Sequence, residues 1–412
     1  MPRLLIAGGG IGGLAAALAC SQAGARSHGL QIELLERTPQ FEDAGAGIQL
    51  GPNATRRLQA WGLGAALAQY GAFPAALVVR DGEKGGELAR LPLGDAIAKQ
   101  YGAPYACLHR SDLHSLLLDA ALQAQAVDCL RDAVVTAWQA VQGGVEVQLV
   151  QYGQTAVRAG QALVGADGLW SAVRGQCLGD GLAQPTGHLA WRAMVQQARL
   201  PLALRSQDIS VWLGPQWHGV AYPVRGGDWL NLVVITHASA GANPHVPQAE
   251  SAPHRWSQDA VAADLLAALP PLPSDLHTLL LAMPQWRQWV LCERAPLCGP
   301  QGMHDARWAG GRVALLGDAA HPMRPYLAQG AGMAIEDAFE LAAQLQPTAA
   351  AQWPKALAAY AQARWQRNAR VQARAIRNGR VFHATGWQRA GRDAALRLLG
   401  ARLLGQPWLY GY

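Results

Sequence analysis

The sequence lacks the patterns that mark several classes of protein. No stretch reaches the roughly 20 apolar residues of a membrane span without glycine breaks, so we expect no membrane contact. The six cysteines form no C-x-x-C pair. Without an export signal they are expected to be reduced, mostly buried thiols of a cytoplasmic protein. The histidines show no H-x-x-x-H spacing on a helix and no cluster with carboxylates, which predicts no metal site.

Charged residues are sparse as well. They make up 15% of the chain against 50% hydrophobic residues, an ordinary balance for an enzyme, and 412 residues can build two or three lobes. Six arginines recur every three or four residues in one predicted helix and share a face: Arg364, Arg367, Arg370, Arg374, Arg377 and Arg380. Nucleic-acid binding there is conceivable. We interpret the face instead as solvated, or as the contact of a homodimer, and expect no nucleic-acid partner.

Glycine is abundant where a nucleotide would need it. Gly8, Gly10 and Gly13 follow an apolar strand and precede a helix rich in alanine and leucine. They fit G-x-G-x-x-G, in which glycines permit a tight turn and close approach of the backbone to a pyrophosphate. A second strand ends at Glu36, roughly 20 residues further on, where an acid binds ribose hydroxyls. The alternative is a secretory signal peptide, but such dense glycine fits its apolar region poorly.

A second glycine-rich segment follows a predicted strand that ends at Asp318, whose carboxylate can accept a hydrogen bond from a cofactor hydroxyl. A bend containing Pro322 then leads to a helix that begins near Gly330 and Ala331. Helix N-termini present free N–H groups and a partial positive charge. This suits a cofactor ring on which negative charge develops. Together the two segments predict an enzyme that holds a dinucleotide.

The order of strand and helix signals predicts an α/β fold in several parts. Residues 1–180 are interpreted as the first part of the cofactor domain, with a Rossmann-like parallel sheet and a β insertion near 70–105. Residues 181–295 are expected to form an antiparallel-sheet substrate domain. Residues 296–350 return to the cofactor domain, and residues 351–412 form a helical C-terminal segment.

Local signals add three expectations. The pair Gly143-Gly144 predicts the turn of a β-hairpin. Ser111 or Asp112 is expected to cap a helix over 109–122. The stretch 240–258, rich in proline, alanine and histidine, is interpreted as a long connection.

Four motifs, taken together, resemble the class A (single-component) flavoprotein aromatic hydroxylases. They are GGGIGG with Glu36-Arg37, HRSDLH at 109–114, GADGLWSAVR at 165–174, and GDAAHPMRPYLAQGAGMAIEDA at 317–338. The match covers essentially the whole chain. Segments GAGIQLGPNATRRL, LPLGDAIAKQYG and PWLYGY are similar to the branch that acts on salicylate, 3-hydroxybenzoate and 6-hydroxynicotinate. The resemblance implies that family's fold, which has a Rossmann-like domain for FAD, an antiparallel substrate domain and a helical C-terminus.

The resemblance also implies the cofactors. FAD would occupy the one glycine fingerprint, so NADH or NADPH would visit transiently as reductant, and O2 would be the co-substrate. Residues at matching positions would contact FAD: Gly8, Gly10, Gly13, Leu14, Glu36, Arg37, Gly47, Arg110, Leu130, Asp167, Gly168, Asp318, Pro322, Gly330 and Ala331. The turn at Asp167-Gly168 would also serve the nicotinamide nucleotide. The helix from Gly330 would stabilise the reduced, anionic ring.

The implied reaction is hydroxylation of a small phenolic or hydroxylated heteroaromatic acid through a flavin C4a-hydroperoxide, with decarboxylation where a carboxylate lies ortho. Because that peroxide is an electrophile, the site needs a group that draws the proton from the substrate hydroxyl. His218 and Tyr222 lie four residues apart on a predicted strand and so share a face. The family branch carries histidine and tyrosine at this spacing. We interpret the pair as the relay that orients and deprotonates the substrate; two ordinary core residues are the alternative.

Gln49 is the third catalytic candidate, because the branch places this loop beside flavin and substrate. The 6-hydroxynicotinate enzymes carry histidine at the matching position, and glutamine cannot act as a base. A structural bond to the loop backbone is an equal alternative. A partner for a substrate carboxylate could be Arg192, Arg225 or Arg324, and the sequence assigns none of them.

Two other functions are weighed against hydroxylation. An FAD-dependent oxidase or epoxidase of a larger apolar substrate would favour a membrane-contacting C-terminus, but the C-terminal helices are basic and rich in glutamine. A non-catalytic flavin-binding protein would not need the nicotinamide-facing GADG turn.

Overall fold

The structure, a computed structural model, describes residues 1–24, 29–41, 45–238, 257–305, 311–346 and 348–412. Its strands, in chain order, are β1 Arg3–Ala7, β2 Gln31–Leu35, β3 Gly47–Leu50, β4 Ala76–Asp81, β5 Glu87–Pro92, β6 Ala106–His109, β7 Val127–Leu130, β8 Ala133–Val141, β9 Gly144–Gln151, β10 Gln154–Gly160, β11 Ala162–Gly165, β12 Gln184–Gln196, β13 Ile209–Gly214, β14 Trp217–Val224, β15 Trp229–His237, β16 Ser257–Ala260, β17 Trp286–Glu293 and β18 Val313–Leu315. Its helices are α1 Ile11–Gly24, α2 Pro52–Ala60, α3 Gly64–Tyr70, α4 Gly94–Tyr101, α5 Arg110–Leu122, α6 Ala172–Leu178, α7 Ala262–Ala267, α8 Ser274–Leu281, α9 Gly330–Leu345, α10 Trp353–Phe382, α11 Gly386–Leu399, α12 Ala401–Leu404 and α13 Pro407–Tyr410.

A five-stranded parallel sheet forms the centre of the cofactor half, in the order β18-β11-β1-β2-β7. Its middle strand β1 is apolar over Leu4–Ala7, and these residues are fully buried. Such a run is expected in a parallel sheet that is covered on both faces. Helix α1 packs against both α9 and α5. The predicted Rossmann-like part of the fold is confirmed.

The predicted hairpin is also present. Strands β8 and β9 pair antiparallel across a turn in which Gly143 has φ +77°, and β10 extends the pair to three strands. A positive φ is adopted readily by glycine, which explains the choice of residue at this turn.

The substrate half is built on an eight-stranded sheet in the order β16-β17-β12-β15-β14-β13-β4-β5. Neighbouring strands are antiparallel except β13 and β4, which are parallel. Strands β4 and β5 come from the insertion near 70–105, so that segment of the N-terminal region extends the sheet of the substrate half. The sequence pattern predicts the strands but not this pairing.

The C-terminal part is helical from α9 onward, and Pro354 lies in the first turn of α10, where proline is tolerated. The interpretation of the α10 arginines as a solvated face is wrong at its N-terminal end. Arg364 is fully buried, where it pairs with Asp337 and Glu336 of α9. Periodicity shows that residues share a face, but it does not show what that face contacts.

Helix α5 begins one residue earlier than its predicted cap. His109 is the N-cap residue, and Ser111 lies within the helix with its Oγ 2.6 Å from His109 Nδ1. Nearly all of the long connection expected over 240–258 lies outside the described residues. Within the described ranges, no helix has both the length and the apolar character needed to cross a bilayer.

Candidate active site

Most of the sequence-predicted cofactor residues lie at one edge of the parallel sheet. Gly8 follows β1, Glu36 follows β2, Asp167 lies beyond β11 and Asp318 lies beyond β18, while Leu130 is the last residue of β7. Because these strands are parallel, their carboxyl ends meet at the same edge. A ligand crevice in an open α/β sheet lies outside these ends.

The glycine turn after β1 is closely packed on one side and open on the other. Gly8 has φ +102°, and a Cβ there would lie 2.5 Å from Ala166 O. A Cβ on Gly13 would lie 1.9 Å from Gly8 O, whereas one on Gly10 would meet no atom within 4 Å. Leu14 is fully buried and donates its N–H to Gly10 O at 2.9 Å. The turn therefore exposes backbone to the crevice and could not take side chains where it packs.

Glu36 is held in place by the same turn. Its Oε2 accepts the Gly9 N–H at 2.6 Å, and its Oε1 accepts from the Thr38 N–H and Oγ at 2.8 Å each. Its own N–H donates to Leu130 O at 2.8 Å, whereas Arg37 is exposed beside it. These bonds fix the carboxylate at the edge of the crevice next to the glycines.

The opposite wall comes from the later motifs. Asp167 accepts from Ser171 Oγ at 2.5 Å and from the Val173 N–H at 3.2 Å, so its carboxylate lies over the first turn of α6. Gly168 has φ +80°, and a Cβ there would meet no atom within 4 Å.

Asp318 lies beside the start of α9. A Cβ on Gly330 would lie 3.9 Å from Asp318 Oδ1, and Ala331 follows in the first turn of that helix. Although solvent reaches Asp318, the crevice walls raise the pKa of its carboxyl, and the charges of His321 and Arg110 oppose this rise. Arg110, the first residue of α5, therefore lies close enough to Asp318 for its charge to act on that carboxyl.

Pro322, four residues after Asp318, is buried, and its carbonyl accepts a hydrogen bond from Gln372 Nε2 at 3.1 Å. The bend between Asp318 and α9 is thus held by a side chain of α10.

Strand β3 joins the crevice to the substrate sheet. Gly47 N–H donates to Asn231 Oδ1 at 2.8 Å, and a Cβ on Gly47 would lie 2.6 Å from Tyr222 Cε2. Gly47 therefore lies directly against the face of β14 and β15. Two residues further on, Gln49 Oε1 accepts from the hydroxyl of Tyr105 at 2.8 Å.

A cavity of about 640 Å³ opens beside this junction. Its lining includes Gln49, Tyr105 and His218, together with apolar side chains of β4 and β13 and residues of α10, α11 and α12. His218 and Tyr222 are both buried, at 3% and 5% exposure, and they lie on one strand with the spacing that the sequence predicts. The structure brings His218 and Gln49 to one cavity, and Tyr222 packs under Gly47 at its side.

Burial determines the protonation state of His218 and Tyr222. It lowers the pKa of His218 to about 3, with His188 acting in the same direction, so the imidazole is neutral near pH 7. It raises the pKa of the Tyr222 phenol well above its ordinary value, and that hydroxyl stays protonated. A neutral imidazole can accept a hydrogen bond from a substrate hydroxyl, although the lowered pKa makes His218 a weaker proton acceptor than a free imidazole, and a phenol can donate a hydrogen bond.

The structure also contains residues that the sequence did not single out. Tyr105, which immediately precedes β6, bonds to Gln49, and Asn231 of β15 bonds to Gly47; both are distant from their partners in the chain. The spacing of the histidines predicts no metal site, yet the fold brings imidazole nitrogens of His188, His237 and His383 within 4.8 Å of one another. His188 and His237 are cross-strand partners on β12 and β15. The alternation of polar and apolar residues could predict the sheet face on which each histidine lies. It does not predict the register between β12 and β15 that makes the two histidines neighbours.

Comparison with known proteins decides the family. A protein-family model described as an FAD binding domain matches residues 2–375. The chain is 35% identical to 3-hydroxybenzoate 6-hydroxylase of Polaromonas naphthalenivorans, over 99% of this chain and 96% of that protein. The chain belongs to the FAD-dependent aromatic hydroxylases.

One further relative supports the assignment to these hydroxylases, and a solved structure supports the fold. The chain is 31% identical to 6-hydroxynicotinate 3-monooxygenase of Bordetella bronchiseptica, over 100% of this chain and 95% of that protein. A solved salicylate hydroxylase in complex with substrate superposes with a TM-score of 0.79 at 24% identity, covering 100% of this chain and 95% of that chain. This last likeness supports the fold, and the resemblance drawn from the motifs is confirmed.

As an FAD-dependent aromatic hydroxylase, the protein needs a cradle for a dinucleotide, and the crevice fits one. Gly10 and Gly168 border open space in which a side chain would meet no protein atom within 4 Å. Gly8 and Gly13 let the backbone between them turn back on itself, as a pyrophosphate requires. Carboxylates for hydroxyl groups stand on both walls, at Glu36 and Asp318.

Proposed function

We propose that this enzyme hydroxylates the ring of a small aromatic acid bearing a phenolic or heteroaromatic hydroxyl group, consuming NADH or NADPH and O2. The observation that carries the proposal is the junction at β3. There Gly47 and Gln49 connect the dinucleotide crevice with the strand that bears His218 and Tyr222. A cofactor ring extending from the crevice toward this junction would meet a substrate ring lying on that strand.

FAD, when bound, would supply the redox chemistry that links oxidation of NADH or NADPH to the transfer of oxygen from O2. Gly8, Gly10 and Gly13 would lie against the pyrophosphate, and Glu36 would accept the adenosine ribose hydroxyls. Asp318 and Arg110 would contact the part of FAD between the pyrophosphate and the flavin. The N-terminus of α9, at Gly330 and Ala331, would present N–H groups to the ring edge where negative charge develops.

The remaining predicted residues fall into two groups. Arg37 and Leu130, which adjoin Glu36, would border the adenosine end, and Leu14, whose N–H donates to Gly10 O, would support the pyrophosphate turn. Gly47, Asp167, Gly168 and Pro322 would border the central and flavin part, and the Asp167-Gly168 turn would also serve the nicotinamide nucleotide during its visit.

His218 is proposed to take the proton from the substrate hydroxyl. Its Nδ1 lies 2.8 Å from His383 Nε2, so this interaction occupies Nδ1 and leaves Nε2 for the cavity. Withdrawing the proton makes the ring electron-rich at the moment it meets an electrophilic oxygen. Tyr222, protonated and buried, would donate a hydrogen bond that orients the same substrate.

Gln49 is proposed to fix the edge of the substrate ring rather than to transfer a proton. Its carbonyl oxygen is engaged by the Tyr105 hydroxyl at 2.8 Å, which directs the amide group. A buried Tyr–Gln pair of this kind provides fixed donors and excludes water from the reacting ring.

Arg192 is the best-placed partner for a substrate carboxylate among the three arginines considered. On β12 it pairs with Val233, which pairs with Val220 of β14, so Arg192 lies on the face that carries His218 and Tyr222. Its charge lowers the pKa of the Tyr222 phenol against the larger effect of burial. Arg225 and Arg324 are bound by the carboxylates of Asp112 and Glu293, and the guanidinium of Arg192 lies 4.9 Å from the centroid of the Trp289 ring, so position on the sheet face is what favours Arg192.

The cavity size favours one alternative substrate class. At about 640 Å³ it exceeds the need of a single-ring acid, and much of its wall is apolar. An FAD-dependent oxidase or epoxidase of a larger apolar substrate would use the same crevice with the outer cavity filled.

The proposal is tested with purified enzyme and a panel of hydroxybenzoates and hydroxynicotinates. NADH oxidation, hydrogen peroxide and the aromatic products are measured together. We expect one acid to stimulate NADH oxidation and to be converted to a hydroxylated product with little peroxide. Peroxide as the sole product across the panel, with coupled turnover of larger apolar compounds, would support the alternative. A protein that binds no FAD would contradict both.

A further inference from the structure

We propose that His188, His237 and His383 form a binding site for a divalent transition-metal ion of the zinc type, located behind the substrate cavity. The three imidazoles come from β12, β15 and the residue that follows α10. They present ligand nitrogens within 4.8 Å of one another. Imidazole is a preferred ligand for zinc, copper and nickel.

The spacing of the rings suits one shared ion. His237 Nε2 lies 3.2 Å from His383 Nδ1. Two nitrogens bound to one tetrahedral zinc at about 2.0–2.1 Å are separated by roughly 3.4 Å. The ring centroid of His188 lies 4.4 Å from that of His237 and 5.2 Å from that of His383. Small side-chain rotations would bring three nitrogens to coordination distance and leave the fourth position for water.

In His188 and His383, the ring nitrogen that would not bind the ion contacts another protein group, as in known metal sites. His188 Nδ1 lies 3.2 Å from Thr186 Oγ1, which leaves Nε2 for the ion. His383 Nε2 lies 2.8 Å from His218 Nδ1, which leaves Nδ1 for the ion. Metal-binding histidines almost always have the second nitrogen fixed in this way by a protein group.

The surroundings favour access and do not leave a bare positive charge next to the ion. His237 is exposed, so an ion can enter from solvent. Arg324 lies close enough to act on His188 and His383, but Glu293 binds its guanidinium at 2.5 and 2.6 Å. Tyr326 and Phe382 cover the inner side of the cluster against His218.

An ion at this site would act on the active site through His383. With the ion on Nδ1, the single proton of His383 must lie on Nε2 and be donated to His218 Nδ1. The proton of His218 then lies on its Nε2, which faces the cavity as a donor and no longer accepts. No proton is gained or lost by either ring, because each keeps one. This consequence rests on the proposed role of His218, whereas the site itself does not.

Zinc binding to the FAD-loaded protein is the direct test, measured by calorimetry and by competition with a chromophoric zinc indicator. We expect one equivalent to bind to the wild type and none to bind at this site in His188→Asn or His237→Asn. His277→Asn, which changes an exposed histidine of α8 outside the cluster, should bind like the wild type. Thr186→Val should weaken binding by about tenfold, because it removes the contact that orients His188.

Cobalt supplies an independent readout, since Co²⁺ held by three imidazoles and a water gives the visible bands of tetrahedral coordination. Equal zinc binding by wild type and His237→Asn would overturn the proposal, as would the absence of any binding above that of the variants. FAD content and thermal unfolding establish that each variant is folded. Because none of these measurements uses turnover, failure of the metal site and failure of the hydroxylase assignment are distinguishable.

Measurements of turnover then test whether the metal ion affects hydroxylation through His383. Saturating zinc should lower the rate of hydroxylation in the wild type by on the order of a hundredfold, the typical contribution of a general base. It should leave the rate of His237→Asn unchanged. Equal inhibition of both proteins would show that zinc acts elsewhere and would contradict the coupling through His383.

Discussion

Gly10 and Gly13 belong to one turn, yet a side chain at each would meet different surroundings. A Cβ at Gly13 would lie 1.9 Å from a backbone oxygen, while one at Gly10 would enter the open crevice. The same chemical change, Gly→Ala, can therefore separate protein packing from cofactor binding.

We predict that Gly13→Ala destabilises the apoprotein by about 1–3 kcal/mol or more, since the added methyl group forces the turn apart. Gly10→Ala should change apoprotein stability by no more than about 0.5 kcal/mol and should weaken FAD binding instead. Denaturant unfolding of the apoproteins and titration with FAD measure the two effects. Equal FAD affinity in Gly10→Ala and the wild type would show that the crevice does not hold the pyrophosphate at this turn.

The glycines and acids of the crevice could be predicted from sequence because each follows a strand, and the carboxyl ends of parallel strands converge whatever the connections. The histidine cluster could not, because it depends on the register of β12 against β15 and on where α10 ends. Tyr105 and Asn231 were missed for the same reason. Their partners, Gln49 and Gly47, are more than fifty residues away in the chain.

The second prediction concerns His218. His218→Asn should lower the rate of hydroxylation by about 10²–10⁴-fold, because asparagine cannot take the substrate proton. FAD content and the rate of flavin reduction by NADH should stay near wild-type values, since His218 lies outside the crevice. Rapid-mixing absorbance measurements follow the two half-reactions separately. Unchanged hydroxylation in this variant would remove His218 from the mechanism, whereas Tyr222→Phe should show a smaller loss because it removes one orienting hydrogen bond.

Helix α9 rests on a buried ion-pair network. Arg364 binds Asp337 at 2.8 Å and Glu336 at 2.8 Å, and Arg367 binds Glu336 at 2.6 Å. Burial alone would raise the pKa of Asp337, but His321 and Arg364 outweigh it and hold that pKa well below its usual range. The network thereby positions the helix whose N-terminus is proposed to face the flavin.

We expect Arg364→Met to destabilise the protein by about 3–5 kcal/mol near pH 7, because the buried carboxylates of Asp337 and Glu336 lose the buried cation that they share. In the wild type, the folded-state pKa of Asp337 is depressed, so its contribution is fully present well above the unfolded-state pKa of about 3.9 and is lost as pH falls below about 4 toward the folded-state pKa. The stability gap between variant and wild type should therefore stay nearly constant from about pH 7 to about pH 5 and narrow below about pH 4. A gap that stays constant from about pH 4 down to about pH 2 in denaturant unfolding would contradict this account of the network.

The arginine face of α10 shows what periodicity can and cannot predict. The spacing places neighbouring arginines on one side of the helix, but at 3.6 residues per turn the direction drifts, so that Arg364 and Arg380 lie about 160° apart around the axis. Whether that side meets solvent or a carboxylate depends on how α9 packs, and only the N-terminal end of the face meets Glu336 and Asp337. Helical periodicity contains no information about that neighbour.

In the whole molecule, the parallel sheet and the eight-stranded sheet meet at β3, which is neither long nor central. Its first residue lies against Tyr222, and its third shares a hydrogen bond with Tyr105 at the cavity. The fold class could be predicted from the order of strand and helix signals. The joining of β4 and β5 to the substrate sheet could not, because short apolar strands do not specify their partners.

If the protein is a hydroxylase of the proposed kind, oxygen from O2 enters the aromatic ring of a substrate held at this junction. The test is turnover under ¹⁸O2 of the acid that the enzyme hydroxylates with little release of peroxide, followed by mass spectrometry of the product. We predict one ¹⁸O atom in the new hydroxyl group for each NADH consumed, and none when the label is supplied as water. Unlabelled product, or NADH consumption that yields only labelled hydrogen peroxide with every aromatic acid, would contradict the account.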